Sequence, residues 1–173
     1  MAGWAPNFSW LTGTLAVGGA VPPEHVETLA AQHGVCAVID LRQEACDDAE
    51  ALERHGLDFL HLPTEDLCAV SVEMLDAGVA FARPRLTAGR RVLIHCEHGI
   101  GRSATLALCV LVDQGMTPLA ALSLAKDRRP RVSPSPEQYE AWRAWLERLR
   151  PPPPIPDFDA FKAIAYRHLQ TQD

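Results

Sequence analysis

Short β-branched runs alternate with amphipathic segments along most of the chain. Val35–Leu41, Leu57–Leu62 and Arg91–His95 are brief apolar runs typical of buried strands. Apolar spacing and capping residues predict helices at 24–32, 47–54, 71–86, 102–114, 117–127 and from 135 onwards. Strands and helices in this order favour parallel strands covered on both faces. We therefore expect one α/β domain, a mostly parallel central sheet of about four to five strands flanked by helices, with a small edge hairpin at Leu11–Gly18.

A run of prolines, Pro151–Pro154, divides the chain. It predicts a main domain over residues 1–150, then a proline-rich spacer and a C-terminal helix over 151–173. One face of that helix is apolar, with Phe158, Phe161 and Ile164 or Ala165. We expect this face to pack on the domain and the protein to be a monomer. The alternative is a dimer formed through this helix.

Composition narrows the class of protein. The chain has 173 residues, a hydrophobic fraction of 47%, a net charge of −6 and a pI of about 5.6. These values fit a globular domain and argue against a general nucleic-acid binder. The first twenty residues show no signal-peptide pattern, and the longest apolar stretch, Leu106–Val112, is too short to span a bilayer. We expect a cytoplasmic protein without a membrane partner. The five cysteines are odd in number and irregularly spaced, which argues against a disulfide framework.

One segment, His95–Ser103 (HCEHGIGRS), joins a predicted apolar strand directly to the all-apolar helix. Its two glycines permit a tight turn with N–H groups pointing inward, and the helix aims its positive end at the same point. These donors would stabilise a Cys96 thiolate, and the planar fork of Arg102 suits a tetrahedral anion. Ser103 could hydrogen-bond the sulfur. The segment predicts an oxyanion cradle rather than an ordinary turn, and its spacing is wrong for a structural zinc site.

HCEHGIGRS resembles the His-Cys-x5-Arg-Ser/Thr signature loop of the protein tyrosine phosphatase superfamily, and Leu11–Leu149 resembles its compact dual-specificity branch. The VIDLR segment at Val38–Arg42 is also similar to a strand of that branch. The resemblance implies that Cys96 is the nucleophile and Arg102 the phosphate clamp. It further implies that His95 helps to set the thiolate and that Ser103 assists breakdown of a phosphocysteine. The loop backbone would hold the phosphate oxygens, through Glu97, His98, Gly99, Ile100 and Gly101.

Two loop residues depart from the family pattern. Glu97 and His98 stand where members usually carry small, polar or basic residues. Glu97 argues against a highly charged phosphoinositide substrate. We expect His98 to support the loop, with a rim contact as the alternative.

The resemblance also implies a general acid, an aspartate on a loop upstream of the cysteine. The stretch His61–Cys68 follows a predicted strand and offers Asp66, with Glu65 as the rival. Asp40 is expected to be structural, tied to Arg42. Gln138 stands where several members place a glutamine that orients water, but an ordinary first-turn role is favoured. The basic run Lys126–Arg131 is either a rim of the site or a solvated helix end.

The expected function is hydrolysis of phosphomonoesters through a phosphocysteine, on phosphotyrosine and also on phosphoserine or phosphothreonine, without a metal or organic cofactor. A small-molecule phosphatase for a sugar, nucleotide, inositol or lipid phosphate is the alternative. A phosphate-binding pseudophosphatase and a redox or sulfur-transfer role for Cys96 are weaker alternatives. The expected partner is therefore a phosphorylated protein or a small phosphomonoester.

Overall fold

The computed structural model describes residues 4–170, so the outermost residues of both predicted segments, 1–3 and 171–173, lie outside it. It contains a five-stranded sheet in the order β1-β2-β5-β3-β4. The strands are β1 (Phe8–Trp10), β2 (Leu15–Gly18), β3 (Val35–Arg42), β4 (Asp58–Thr64) and β5 (Arg91–His95). Only β1 is antiparallel to its neighbour. The predicted α/β fold with a mostly parallel sheet is confirmed.

The helices follow the predicted capping signals. They are α1 (Val26–Ala31), α2 (Ala49–Arg54), α3 (Val72–Thr87), α4 (Arg102–Asp113), α5 (Pro118–Arg128), α6 (Pro136–Glu147) and α7 (Phe158–Ala165). Thr117 and Ser135 accept hydrogen bonds from the first turns of α5 and α6, each of which begins with proline. Among the described residues, no helix combines the length and the apolar character needed to cross a bilayer.

Both faces of the sheet are covered, as the sequence predicts. Ile39 and Ile94 point into the larger core beneath α3 to α7. Val38 and Leu93, one residue away on each strand, point into a smaller core with Leu29 of α1 and others. This alternation explains why the central residues of β3 and β5 are apolar on both faces. The same sandwiching fixes the carboxyl end of β5, where the HCEHGIGRS segment begins.

The predicted hairpin at Leu11–Gly18 is shifted. Its first strand is Phe8–Trp10, which pairs with β2 from Phe8 opposite Gly18 to Trp10 opposite Ala16. Residues from Leu11 onwards instead form the turn, where Leu11 N–H donates to Leu15 O. β2 is completely buried and also pairs with β5, so β1 rather than β2 forms this edge of the sheet, and β4 forms the opposite edge.

The C-terminal segment packs on the rest of the chain. Phe161 and Ala165 of α7 are buried, and Phe161 lies 4.9 Å from the Tyr139 ring of α6 between ring centroids. Tyr139 also donates a hydrogen bond to Pro156 O at 2.8 Å. A dimer through α7 would have to use its outward face, and it remains a prediction.

Candidate active site

The candidate site lies where β5 ends between the parallel strands β2 and β3. Cys96 follows β5 directly, and its N–H donates to Gly18 O at the end of β2, at 3.2 Å. The segment 96–101, hereafter the signature loop, leads straight into α4 at Arg102. The carboxyl ends of parallel strands form the crevice in which open α/β sheets bind ligands.

Every backbone carbonyl from Cys96 to Gly101 is hydrogen-bonded on the outside of the signature loop. The donors, in loop order, are the His95 ring at 3.0 Å, Ala20 N at 3.1 Å, Arg129 Nη2 at 2.9 Å, Arg129 Nε at 2.8 Å, Ser133 N at 2.9 Å and Thr105 N at 2.9 Å. The N–H and C=O groups of a peptide plane point in opposite directions, so the outward carbonyls turn the amides inward. The loop is therefore a concavity of hydrogen-bond donors at the start of a helix, which suits an anion.

The two loop glycines are required by close approaches. At Gly99, where φ is 68°, a Cβ would lie 2.5 Å from the Gly18 carbonyl carbon and 2.6 Å from Arg129 Nη2. At Gly101 a Cβ would lie 2.5 Å from Gln138 Oε1. Any side chain at either position would push the loop away from its anchors.

The Cys96 thiol faces the inside of the signature loop and is 3% exposed. Its Sγ lies 3.2 Å from Ser103 Oγ, and Gly99 N–H donates to it at 3.3 Å. Burial raises the pKa of Cys96, but these hydrogen bonds and the charge of Arg102 outweigh burial and hold the pKa below its usual value. The predicted contact between Ser103 and the sulfur is thus present, and Cys96 has the character of a reactive thiol.

Arg102 is held from one side and open on the other. Its side chain is 1% exposed, and Nη1 and Nη2 donate to the two carboxylate oxygens of Glu44 at 2.7 and 2.8 Å. Nη1 donates also to Thr64 O at 2.8 Å, whereas the buried Nε has no hydrogen-bond partner among residues 4–170. A guanidinium has five N–H donors, so Nε and the remaining N–H of Nη2 are left as a fork along one edge. That edge can bind an anion through two parallel hydrogen bonds.

Glu44 was not predicted from the sequence as a site residue. Its hydrogen bonds with Arg102 lower the pKa of Glu44 to about 2, so it is a fixed anion. Glu44 follows the carboxyl end of β3, the neighbour of β5. That position in a parallel sheet is the signal that could have identified it.

Asp66 and Glu65 both lie at the mouth of the site. Asp66 is exposed, and its Oδ1 is 3.4 Å from Arg102 Nη2. Glu65 is also exposed and lines, with Asp66, Gln43 and Glu44, an open cleft of about 500 Å³. Of the two rivals, Asp66 is the one with an ion-pair contact to Arg102.

The two unusual loop residues point away from the anion concavity. Glu97 Oε2 accepts a hydrogen bond from Arg42 Nη1 at 3.1 Å. The His98 side chain is exposed, which favours a rim position over the supporting role expected for it. Ile100 is half-buried and contributes through its backbone.

Buried charges surround His95 directly behind Cys96. His95 Nε2 lies 2.5 Å from Asp47 Oδ2 and Nδ1 lies 3.0 Å from Cys96 O. Burial lowers the pKa of His95, but the hydrogen bond to Asp47 and the charges of Asp47 and Asp40 outweigh it and raise the pKa. Asp47 was not identified from the sequence.

The predicted tie between Asp40 and Arg42 is confirmed. Arg42 Nε and Nη2 donate to the two Asp40 oxygens, each at 3.1 Å. The same guanidinium donates to Asp47 Oδ1 at 3.1 Å. Although Asp40, Asp47 and His95 lie close enough to share a metal ion, Arg42 and the His95 ring already occupy the carboxylate oxygens. Their closeness is accounted for by ion pairing.

Gln138 and Arg129 support the signature loop from behind. Gln138 Oε1 accepts from Ser135 N at 2.9 Å in a capping box, and its Nε2 donates to Cys68 O at 3.3 Å. This is the favoured first-turn role, and orientation of water by Gln138 remains a prediction. Within the basic run 126–131, Arg129 is only 4% exposed and lies beneath the loop, so it is neither a rim residue nor part of a solvated helix end.

Known proteins resemble this chain in sequence and in fold. Residues 20–147 match the family model described as dual specificity phosphatase, catalytic domain. The chain is 37% identical over 128 residues to phosphatidylglycerophosphate phosphatase PTPMT1 of Arabidopsis thaliana, a match covering 71% of this chain and 38% of that protein. It is 28% identical over 139 residues to phosphatidylglycerophosphatase and protein-tyrosine phosphatase 1 of Mus musculus, covering 76% of this chain and 72% of that protein.

One solved structure resembles this chain in fold over nearly the whole length of that structure. Tk-PTP in the active form superposes with a TM-score of 0.76 at 28% identity, over 83% of this chain and 99% of that one. The Arabidopsis relative is much longer than its matched part, since this chain spans only 38% of it.

Proposed function

Because this chain belongs to the dual specificity phosphatase family and is a cysteine phosphatase, we propose that it hydrolyses phosphomonoesters by covalent catalysis at Cys96. The observation that carries the proposal is the pairing of inward-facing amides with the free edge of Arg102 around the Cys96 sulfur. Both elements are built for a tetrahedral anion, and both are in place before it binds.

In the first step, the Cys96 thiolate attacks phosphorus and the bond from phosphorus to the leaving oxygen breaks. Asp66, in its acid form, gives that oxygen its proton. In the second step, the Asp66 carboxylate takes a proton from water, which attacks phosphorus and breaks the sulfur–phosphorus bond. The hydroxyl of Ser103 stabilises the departing thiolate, 3.2 Å from its Oγ. Arg102 and the loop amides hold the charge of the phosphoryl oxygens throughout.

The first candidate substrate is the terminal phosphomonoester of phosphatidylglycerophosphate. Two relatives at 37% and 28% identity carry that activity in their names. The exposed carboxylates of Glu44 and Asp66 at the mouth should repel additional charge. This repulsion disfavours inositol lipids with several phosphates more than phosphatidylglycerophosphate, which carries one phosphodiester in addition to its phosphomonoester.

The second candidate is phosphotyrosine in proteins. The mouse relative is named for both activities, and the matching family model is that of dual specificity phosphatases. The covalent mechanism is the same for both substrates, so only the cleft outside the signature loop would distinguish them.

A substrate panel tests both candidates. Phosphatidylglycerophosphate in mixed micelles, phosphotyrosine and phosphoserine peptides, a sugar phosphate and an inositol phosphate would be compared by kcat/KM, each rate corrected with Cys96→Ser protein. We expect phosphatidylglycerophosphate to exceed the others by at least about tenfold. A phosphotyrosine peptide turned over fastest would select the second candidate, and phosphate binding without any turnover would indicate a pseudophosphatase.

Replacing the proposed acid should produce an effect that depends on the leaving group. Asp66→Asn should lower kcat by about 10²- to 10³-fold for an alkyl phosphate, and far less for an activated aryl phosphate whose leaving group needs no proton. Glu65→Gln is the matched control, because it removes a neighbouring exposed carboxylate, and it should change kcat less than about threefold. If the two variants exchange these behaviours, Glu65 is the acid.

A further inference from the structure

His95 is surrounded by acceptors on both sides of its ring. Nδ1 faces the backbone oxygen of Cys96 at 3.0 Å, and Nε2 faces the Asp47 carboxylate at 2.5 Å. Neither a carbonyl nor a carboxylate can donate a hydrogen bond. Both contacts are therefore satisfied only when both ring nitrogens carry hydrogen, which makes the ring an imidazolium cation.

The cation is completely buried, so its charge must be matched locally. His95 is 0% exposed and the Asp47 side chain 9% exposed. Asp40, which also lies 4.0 Å from Nε2, has both oxygens engaged by Arg42. Asp47 is thus the carboxylate that bonds the ring directly, and a buried cation without such a partner is strongly disfavoured.

We propose that Asp47 is a positioning residue that keeps His95 in its cationic form and thereby favours the thiolate of Cys96. The proposal rests on the proposed role of Cys96 as nucleophile. The positive ring contacts the Cys96 backbone oxygen through Nδ1, whereas the carboxylate that balances its charge bonds the other ring nitrogen, Nε2. An adjacent cation stabilises a thiolate.

The charged groups near His95 and Cys96 can be counted for the described residues. They are Asp40 and Arg42 from β3, Asp47 from the loop after β3, Arg102 of α4 with its partners Glu44 and Asp66, Glu97 of the signature loop, and Arg129 beneath that loop. β2 contributes no titratable group, since it consists of Leu15, Ala16, Val17 and Gly18. Buried α3 residues on the same side, such as Leu75 and Val79, are apolar.

The sign of the effect separates this proposal from simple electrostatics. Removing a carboxylate near a thiol should by itself lower the pKa of the thiol, because a repulsive negative charge disappears. Asp47→Asn should do the opposite. The amide of asparagine can donate to Nε2, which lets the ring become neutral, and loss of the positive charge of the ring then raises the pKa of Cys96.

The decisive experiment measures the Cys96 thiolate directly, without turnover. The ultraviolet absorbance of the thiolate would be followed against pH for each variant. The absorbance of the same variant with Cys96→Ser added would be subtracted. Near the wild-type midpoint, Asp47→Asn should reduce the thiolate fraction by about threefold, and Asp47→Glu should restore it. The acidic limb of the kcat/KM profile should move to higher pH by the same displacement.

Asp48→Asn is the matched control. Asp48 is the next residue, is exposed, and caps α2 by accepting from Ala51 N at 3.0 Å, with no contact to His95. A midpoint for Asp47→Asn equal to or below that of Asp48→Asn would overturn the proposal. Nitrogen-15 spectra of wild-type protein, assigned by His95→Gln, give a second test, because a neutral His95 ring at pH 7 would overturn it whatever the variants do. A thiolate midpoint that responds as expected in a protein without phosphatase activity would leave this inference standing and refute the proposed function.

Discussion

Cys96→Ser should lower phosphatase turnover by roughly 10⁴- to 10⁶-fold while the protein remains folded. A serine hydroxyl at this position keeps the hydrogen-bond partners of the sulfur, Gly99 N–H and Ser103 Oγ. It does not ionise near neutral pH, however, so it is a far weaker nucleophile than the thiolate. Steady-state rates with an aryl phosphate would measure the loss of turnover. Thermal unfolding of the wild-type and variant proteins would show whether the variant remains folded.

The matched control is Cys68→Ser, which makes the same chemical change at an exposed cysteine on the loop after Asp66. It should leave kcat within about twofold, because surface substitutions rarely disturb the fold. Residual turnover of Cys96→Ser above about 1% of wild type would contradict the covalent mechanism.

Arg102→Lys should cost about 10³-fold in kcat/KM although the positive charge is kept. An ammonium cannot donate in parallel to Glu44 and to a phosphoryl group in one plane, as the guanidinium edges can. The loss should be larger in kcat than in KM, since the fork is matched to the charge that develops in the transition state.

Arg83→Lys serves as the control, because it makes the same chemical change at an exposed arginine. Arg83 forms two hydrogen bonds with Asp113, which lies at the opposite end of α4 from Arg102. Its kinetics should be unchanged within about twofold. Because Arg102 also holds Thr64 O, rates would be normalised to the folded fraction. A loss below about tenfold for Arg102→Lys would mean that charge alone suffices.

Periodicity and one short motif were enough to predict the mostly parallel sheet, its approximate number of strands and the oxyanion cradle. The runs that became β3 and β5 are mostly apolar because both faces of these strands are buried. The turn at Gly99 and Gly101 and the helix start at Arg102 are local features, so HCEHGIGRS predicted them. The contact between Asp40 and Arg42 was also within reach, since the residues are two apart on one strand.

The contacts that hold the site in place could not be read from local patterns, although the position of Glu44 just after a predicted strand was a signal for that residue. Glu44, Asp47 and Arg129 act on Arg102, His95 and the loop carbonyls across 58, 48 and 30 residues of sequence. Their partners are chosen by the three-dimensional path of the chain, and one sequence carries no local pattern for that. Arg129 in particular belongs to a basic run that suggested a rim, yet burial against carbonyl oxygens gave it a structural contact.

The outward anchoring of the signature loop has an entropic consequence. Its carbonyls are fastened to residue 20, to the 129–133 segment and to the first turn of α4, which are separate parts of the chain. An arriving phosphate therefore finds its donors already oriented and need not order the loop, so little binding free energy is lost to conformational freedom. A loop that cannot adapt also cannot discriminate by changing shape. Selection among phosphate esters must then come from the acidic mouth, and substitutions there should alter substrate preference while leaving the affinity for free inorganic phosphate nearly constant.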